Sequence, residues 1–343
     1  MQVVTPEFVK GKKVLLRYDI DVALSDVRDQ KSEVRIKEDF KLKAGLPTLK
    51  LCLENASKVI IIGHLGRGNS PEFSAKPIQK WFEKELGIEV AFAENLEQAA
   101  ESNSKLTLLE NIRFFHGEVE GDIDFAQRLA SLGEVYVNEA FSAYHPAAST
   151  TMVPTLMSHS AGLHFIEEVK VLTGVRNPPA GGPKKPLVAI MGGVKVADKL
   201  PVIEVLAKKV DVILVGGKLA AEIREQNLNL PKNVMIGKLN EDGLDIALET
   251  VEAWKGLISN AAMIVWNGPL GKFEDPKNDA TCKVVRMILD SGAEVVMGGG
   301  DSVAALNQCG LLKEAEEKGF VSVGGGAMLK FLAEGTLPTI EAL

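Results

Sequence analysis

The chain has 343 residues, 46% of them hydrophobic and 25% charged, which is enough apolar material for large cores and, by length, for two domains. A net charge of -7 gives no general attraction for nucleic acid or anionic lipid, so any anion site must be a local cluster of positive groups. Three cysteines (Cys52, Cys282 and Cys309), far apart and without a CxxC, argue for a reducing compartment and against a disulfide framework. No apolar run reaches bilayer length and the opening MQVVTPEFVKGKK has no signal-peptide core, so a soluble cytoplasmic protein that binds neither nucleic acid nor membrane is expected.

In chain order, short apolar runs alternate with longer helical patterns. Strands are predicted at 13–18, 58–63, 89–92, 106–109 and 134–137, with helices at 46–55, 77–86 and 124–132. An amphipathic run at 164–172 leads into NPPAGGPKKP at 177–186. That pair reads as a connecting helix and a linker, with a domain boundary near 175–186. In the second half strands are predicted near Leu187, Val212, Val234, Met263, Glu294 and Val321, alternating with helices near 199–208, 219–226, 244–255, 280–289 and 302–309. Strands that are apolar throughout, with helices between them, indicate parallel α/β sheets covered on both faces. Trp81 and Trp254 are expected to fill helix-to-sheet packing, and His116, His159 and His164, which show no ligand pattern, to be surface or packed residues.

Four times in the second half an apolar stretch runs into paired or tripled glycines and then a helical pattern: PLVAIMGG (186–193), VILVGG (212–217), EVVMGGG (294–300) and FVSVGGG (320–326). Such a junction aims free backbone N–H groups and the positive end of a helix dipole into a cleft, which suits phosphate. Glycine lets a bulky anion approach the main chain closely. One such junction is as often only a tight turn; four of them, two triple, indicate a polyphosphate site. GxxxxGK[ST], a GxGxxG after the first strand, HExxH and GxSxG are all missing, which argues against a P-loop enzyme, a dinucleotide fold, a zinc protease and a serine hydrolase.

The stretches GGVKVADKL (192–200), WNGPLGKFE (266–274), GGGDSVAAL (298–306) and SVGGGAMLKFL (322–332) resemble the phosphoglycerate kinase family in order and spacing. VLLRYDIDV (14–22), GLPTL (45–49), GHLGR (63–67), LLENIRF (108–114) and VNEAFSAYHPAAST (137–150) extend the resemblance over nearly the whole chain. The chain is short for that family, with the loss mainly between Gln226 and Trp266. The resemblance implies an α/β protein of two doubly wound parallel-sheet, Rossmann-like three-layer domains joined by a hinge helix. Residues 1–172 would bind the phosphoglycerate or acyl phosphate, with a tail of about 331–343 packing back on them, and residues 173–330 the nucleotide. It further implies a monomer that moves a phosphoryl group reversibly between 1,3-bisphosphoglycerate and MgADP, giving 3-phosphoglycerate and MgATP, on closure of a hinge near 164–172. Such a transfer needs alignment and charge neutralisation more than covalent help. A same-fold kinase for another small carboxylate and a catalytically weak nucleotide-binding homologue stay open as alternatives.

On the nucleotide side the resemblance assigns Lys195 to the transferring phosphoryl, Lys199 to the nucleotide phosphates and Asp301 to Mg2+. It assigns the N–H groups of Gly299, Gly300, Gly325 and Gly326 to phosphate oxygens, and Gly216, Gly217, Asn267, Glu274 and Ser302 to the nucleotide pocket. Lys195, Gly300, Gly325 and Gly326, with Lys41, form the catalytic set. Solvated lysines and a helix-capping aspartate are the ordinary alternatives for Lys195, Lys199 and Asp301. Here Lys218 replaces a third glycine, Val323 a threonine, and DIAL (245–248) the family's DIGP.

On the acid side Asp19, His64, Arg67 and Arg113 match the family's substrate contacts, a set suited to a phosphate plus a carboxylate. Asp21 stands where the family has asparagine, and Lys41 where it has arginine, which keeps the charge and loses the planar two-pronged donor. The family's HRAH is shortened to His145, Pro146 and Ala147; Arg35, Lys37, Lys43 and His145 are candidates to compensate.

Overall fold

The computed structural model describes residues 1–25, 36–68, 70–177, 186–193, 196–275 and 277–343, the side chains of 196–198 excepted. Lys195, Arg35 and most of the glycine- and proline-rich linker lie outside the described residues. The chain forms two compact units, Met1–Val169 with Thr336–Leu343, and Lys170–Gly335. One helix, Leu163–Arg176, runs from the first into the second and is longer than the predicted 164–172.

The first unit holds a six-stranded sheet of β1 (Lys13–Arg17), β2 (Lys58–Ile62), β3 (Ala91–Ala93), β4 (Leu106–Leu109), β5 (Val135–Asn138) and β6 (His159–Ala161). Its order is β3-β4-β2-β1-β5-β6, with every pairing parallel. Val14, Leu16, Val59, Ile61, Val135 and Val137 enter one core, and Leu15, Ile60, Ile62 and Tyr136 the other. Successive strand residues point to opposite faces, and both faces are covered, so these strands are apolar without alternation. Local signals set the helices between them. Asn95 and Asp122 accept from Gln98 N and Phe125 N to open Leu96–Glu101 and Ile123–Ala130, and Gly87, at φ 66°, closes Lys76–Leu86.

The second unit repeats the architecture with β7 (Leu187–Met191), β8 (Val212–Val215), β9 (Val234–Ile236), β10 (Met263–Asn267), β11 (Glu294–Gly298) and β12 (Phe320–Ser322). These lie in the order β12-β11-β10-β7-β8-β9, all parallel. Both sheets are therefore doubly wound, as predicted. Trp254 is buried against Gly237, while Trp81, half-buried, donates Nε1 to Asp39 Oδ2 at 3.2 Å.

Two expectations change. The helix predicted at 244–255 spans Leu248–Ser259, because Asp245 is drawn out of it: Oδ1 accepts from Ile246 N (2.9 Å) and Oδ2 from Ala280 N (3.0 Å), capping the helix Ala280–Asp290. Cys282 and Cys309 form a disulfide, which corrects the expectation that all three thiols are free. The two are 27 residues apart in sequence, yet the helix Ala280–Asp290 that carries Cys282 packs against Gly300–Gln308, which Cys309 caps, and the Cα atoms come to 5.5 Å. Cys52 is free and buried, and burial pushes its thiol up to about 12. Among the described residues no helix is long and apolar enough to cross a membrane.

Candidate functional site

In each sheet the chain winds first to one side of its opening strand and then to the other. The winding reverses between β1 and β5 in the first unit and between β7 and β10 in the second. A crevice opens at the carboxyl ends of the strands where such a reversal occurs, and ligands bind there. The candidate residues sit on the segments leaving those ends.

In the first unit Asp19 and Asp21 leave β1, His64 and Arg67 leave β2, and Arg113 lies in the 3-10 turn Ile112–Phe114 after β4. Lys41, on the helix Phe40–Ala44, faces Asp19 Oδ1 at 3.5 Å and donates to Ser142 Oγ at 3.2 Å. Ser142, on the segment after β5, donates in turn to Asp19 Oδ2. Lys41 thus lies against Asp19 and Ser142, while Lys43 pairs with Asp39 at 3.0 Å and Lys37 is exposed. The turn after His64 is pinned from three sides. Asp21 Oδ1 accepts from Gly66 N (2.9 Å), Arg113 Nη1 donates to Gly66 O, and Asn111 Nδ2 donates to Leu65 O (2.8 Å). Gly66 has φ 66° and packs against the Phe73 ring, so glycine is required there. Asp21, whose charge appears misplaced from sequence, therefore holds the loop that carries His64 and Arg67. Burial first, then the charges of Arg17, Arg113, Lys41 and His145, hold His64 well below the usual histidine range. Arg67 is exposed and Arg113 half-buried. Sequence reasoning missed Arg17 and Ser142; a cation closing the apolar run VLLR was the one visible sign of the former.

In the second unit the glycine turns pack on one another. Gly192 N donates to Asn267 O (2.9 Å) and Gly193 N to Pro269 O (2.9 Å). Lys199 Nζ donates to Gly192 O and to Asn267 Oδ1 (3.1 Å), and Asn267 Nδ2 donates to Gly298 O (2.7 Å). Ser302 Oγ accepts from Gly268 N (2.8 Å) and donates to Gly298 O (2.8 Å). Asn267 and Ser302 thus brace the turns that Lys199 spans. The helices Gly300–Gln308 and Gly325–Glu334 start side by side: a Cβ on Gly325 would lie 2.6 Å from Gly299 Cα. Neither has a side-chain cap, so their first-turn N–H groups stay open to a ligand, and Gly300 and Gly326 are exposed. Gly299, at φ 108°, is the N-cap of the first; Asp301, exposed in its first turn, is not the cap. Gly216 and Gly217 open a third helix, Gly217–Glu225, and Gly216 N is engaged by Met191 O at 3.0 Å. Glu274 is exposed on the turn after β10.

The arrangement offers two adjacent helix N-termini with a lysine beside them, and, on its own sheet, a cationic crevice around His64. Comparison with known proteins points to a single family. The family model for phosphoglycerate kinase matches residues 5–233 and 223–335. Among curated relatives, a phosphoglycerate kinase of Desulfovibrio desulfuricans is 35% identical, covering 97% of this chain and 96% of that one. A cytosolic phosphoglycerate kinase of Triticum aestivum is 34% identical over 98% and 96%. The structure of phosphoglycerate kinase from Coxiella burnetii superposes with a TM-score of 0.78 at 28% identity, covering 97% of this chain and 96% of that one. The Pyrococcus horikoshii enzyme, 24% identical, shares the fold with a TM-score of 0.84, covering 100% and 98%. With matches of this extent, the chain belongs to the phosphoglycerate kinase family.

Proposed function

We propose that this protein transfers a phosphoryl group reversibly between 1,3-bisphosphoglycerate and MgADP, giving 3-phosphoglycerate and MgATP. The observation that carries the reading is the pair of uncapped helix starts at Gly299–Gly300 and Gly324–Gly325, side by side at a carboxyl sheet edge. Backbone N–H groups there point at phosphate oxygens and gain strength as charge builds on the moving phosphoryl. Lys199, now bonded to Gly192 O and Asn267 Oδ1, exchanges those partners for a phosphate oxygen; the role of Lys195 at the transferring group is carried by the family resemblance alone. In the first unit Arg67, Arg113 and Lys41 hold the acid's phosphate and carboxylate, with His64 as a neutral donor.

Asp301 fits a magnesium ion: a hard oxygen donor, exposed in the first turn of a phosphate-binding helix. Among the described residues no cluster of three His, Cys, Asp or Glu would hold a cation without the nucleotide, so the donor set suits an ion shared with phosphate oxygens. Bound there, the ion would offset phosphate charge. Hinge closure on the helix Leu163–Arg176, a monomeric state and a cytoplasmic location complete the proposal.

A coupled assay with 3-phosphoglycerate and MgATP tests it. Turnover is expected at rates typical of kinases, about 1–100 per second. No turnover on this acid, with turnover on another small carboxylate, would contradict it.

A further inference from the structure

Arg17 ends β1 and is only 1% exposed. A buried charge is costly unless its N–H groups find acceptors. Nε donates to Ser149 Oγ (3.1 Å), Nη1 donates to Tyr18 O (2.9 Å), and Nη2 lies 2.8 Å from His64 Nδ1. Ser149 is held in turn: Glu118 Oε1 accepts from its Oγ (2.6 Å), Glu118 Oε2 from its N (2.9 Å), and Tyr136 Oη donates to its O (2.8 Å). A guanidinium only donates and keeps its protons, so Nδ1 of His64 must be the acceptor and carries no hydrogen. The proton of the neutral ring then sits on Nε2, which faces Asp21 Oδ2 at 3.8 Å.

We propose that Arg17 is a positioning residue that locks His64 as the neutral Nε2–H tautomer, so that the acid crevice presents a fixed donor rather than a titrating cation. The proposal rests on reading the first unit as the acid site. The surroundings of His64 agree with it. Arg17 from β1, Lys41 from the helix Phe40–Ala44, Arg113 from the turn after β4 and His145 from the segment after β5 add positive charge to a buried ring. Asp21, on the segment after β1, opposes them. Without Arg17, the carboxylate of Asp21 would draw a proton onto His64 as pH falls towards the ordinary histidine value, and the imidazolium would pair with Asp21 instead of the substrate.

Two-bond 1H–15N correlation spectra of the full chain, with His64 assigned by difference against His64→Asn, test the lock directly. Nδ1 unprotonated and Nε2 protonated across about pH 5.5 to 8 is expected; an Nδ1–H ring or an imidazolium in that range would overturn the proposal. No Arg17 variant is needed for this measurement, so it stands even if substitution of Arg17 impairs folding. In folded Arg17→Met and Arg17→Lys, a titration step of His64 should appear, stronger in Arg17→Met. The KM for 3-phosphoglycerate should rise about tenfold towards acid pH with kcat little changed. An untitrated His64 and a flat KM profile in folded Arg17→Met would also overturn it. Added 3-phosphoglycerate should shift the Nε2 proton; no shift at His64 would reject the acid-site reading while the tautomer remains decided by the unliganded spectrum.

Discussion

Asp21 shows how a single residue can look out of place in a sequence and be well placed in the fold. Where the family has asparagine, its carboxylate bonds Gly66 N at 2.9 Å and shares Gly66 with Arg113, so the charge also anchors a loop. Asn keeps an oxygen acceptor at that position, so Asp21→Asn should retain the loop and remove only the repulsion on an anionic substrate. The side chain is 39% exposed, so screening limits the gain. The KM for 3-phosphoglycerate should fall about threefold, for roughly 0.6 kcal/mol, with kcat unchanged. A rise in KM, measured in the coupled assay, would mean that the carboxylate itself binds substrate. Asp19, His64 and Arg113 were legible from the order of short motifs. Arg17 and Ser142 were not, because a sequence records neither burial nor which way a side chain turns at a strand end. Lys195 and Arg35 lie outside the described residues.

At the scale of elements, the start of the helix Leu163–Arg176 is a titratable device. Glu139 Oε1 accepts from His164 N (3.1 Å) and Oε2 from Phe165 N (3.2 Å), while Thr48 Oγ1 accepts from Leu163 N (2.8 Å). Burial, opposed by the His164 charge and these bonds, pushes Glu139 up to about 7. Burial of His164 is outweighed by hydrogen bonds to Glu167 and Glu168, which raise it to about 10. A folded carboxyl above its unfolded value of about 4.3 contributes stability at low pH and loses it as pH rises to about 7. A histidine raised from 6.5 contributes fully below 6.5 and loses it as pH rises through about 10. Above about pH 6.5, where neutral His64 no longer opposes them, thermal midpoints should therefore decline towards about pH 10. His164→Gln should flatten the upper part of the curve and Glu139→Gln the lower. A midpoint that rises over this range would reject both assignments. The disulfide gives a second test. Closing a loop of 27 residues stabilises by about 3.5 kcal/mol in the chain-entropy account, so Cys309→Ser should melt several degrees below the oxidised protein and together with it under reductant. Equal midpoints without reductant would contradict that. Cysteine spacing could not reveal the pair, because sequence separation says nothing of two helices packed side by side. The helix at 244–255 was misplaced for a similar reason: the partner that pulls Asp245 out of it, Ala280 N, is 35 residues away.

At the scale of the molecule, each unit is a doubly wound sheet whose winding reverses once, and the candidate residues lie on segments leaving the strands on either side of that reversal. The alternation of apolar runs with helical patterns made both sheets legible, since buried parallel strands have no polar face to hide. The glycine junctions made the closely packed helix starts legible, because only glycine tolerates the φ of 108° at Gly299 and the close approach of Gly325. What the pattern could not supply was the bracing of those junctions by Asn267, Ser302 and Lys199, which depends on three strand ends meeting. The central claim is that the amides of Gly299–Ser302 and Gly325–Ala327 grip a nucleotide diphosphate. A crystal structure with MgADP tests it most directly. The account predicts the β-phosphate within hydrogen-bond distance of amides at the starts of Gly300–Gln308 and Gly325–Glu334, with the metal on Asp301. A diphosphate bound away from both helix starts would contradict it.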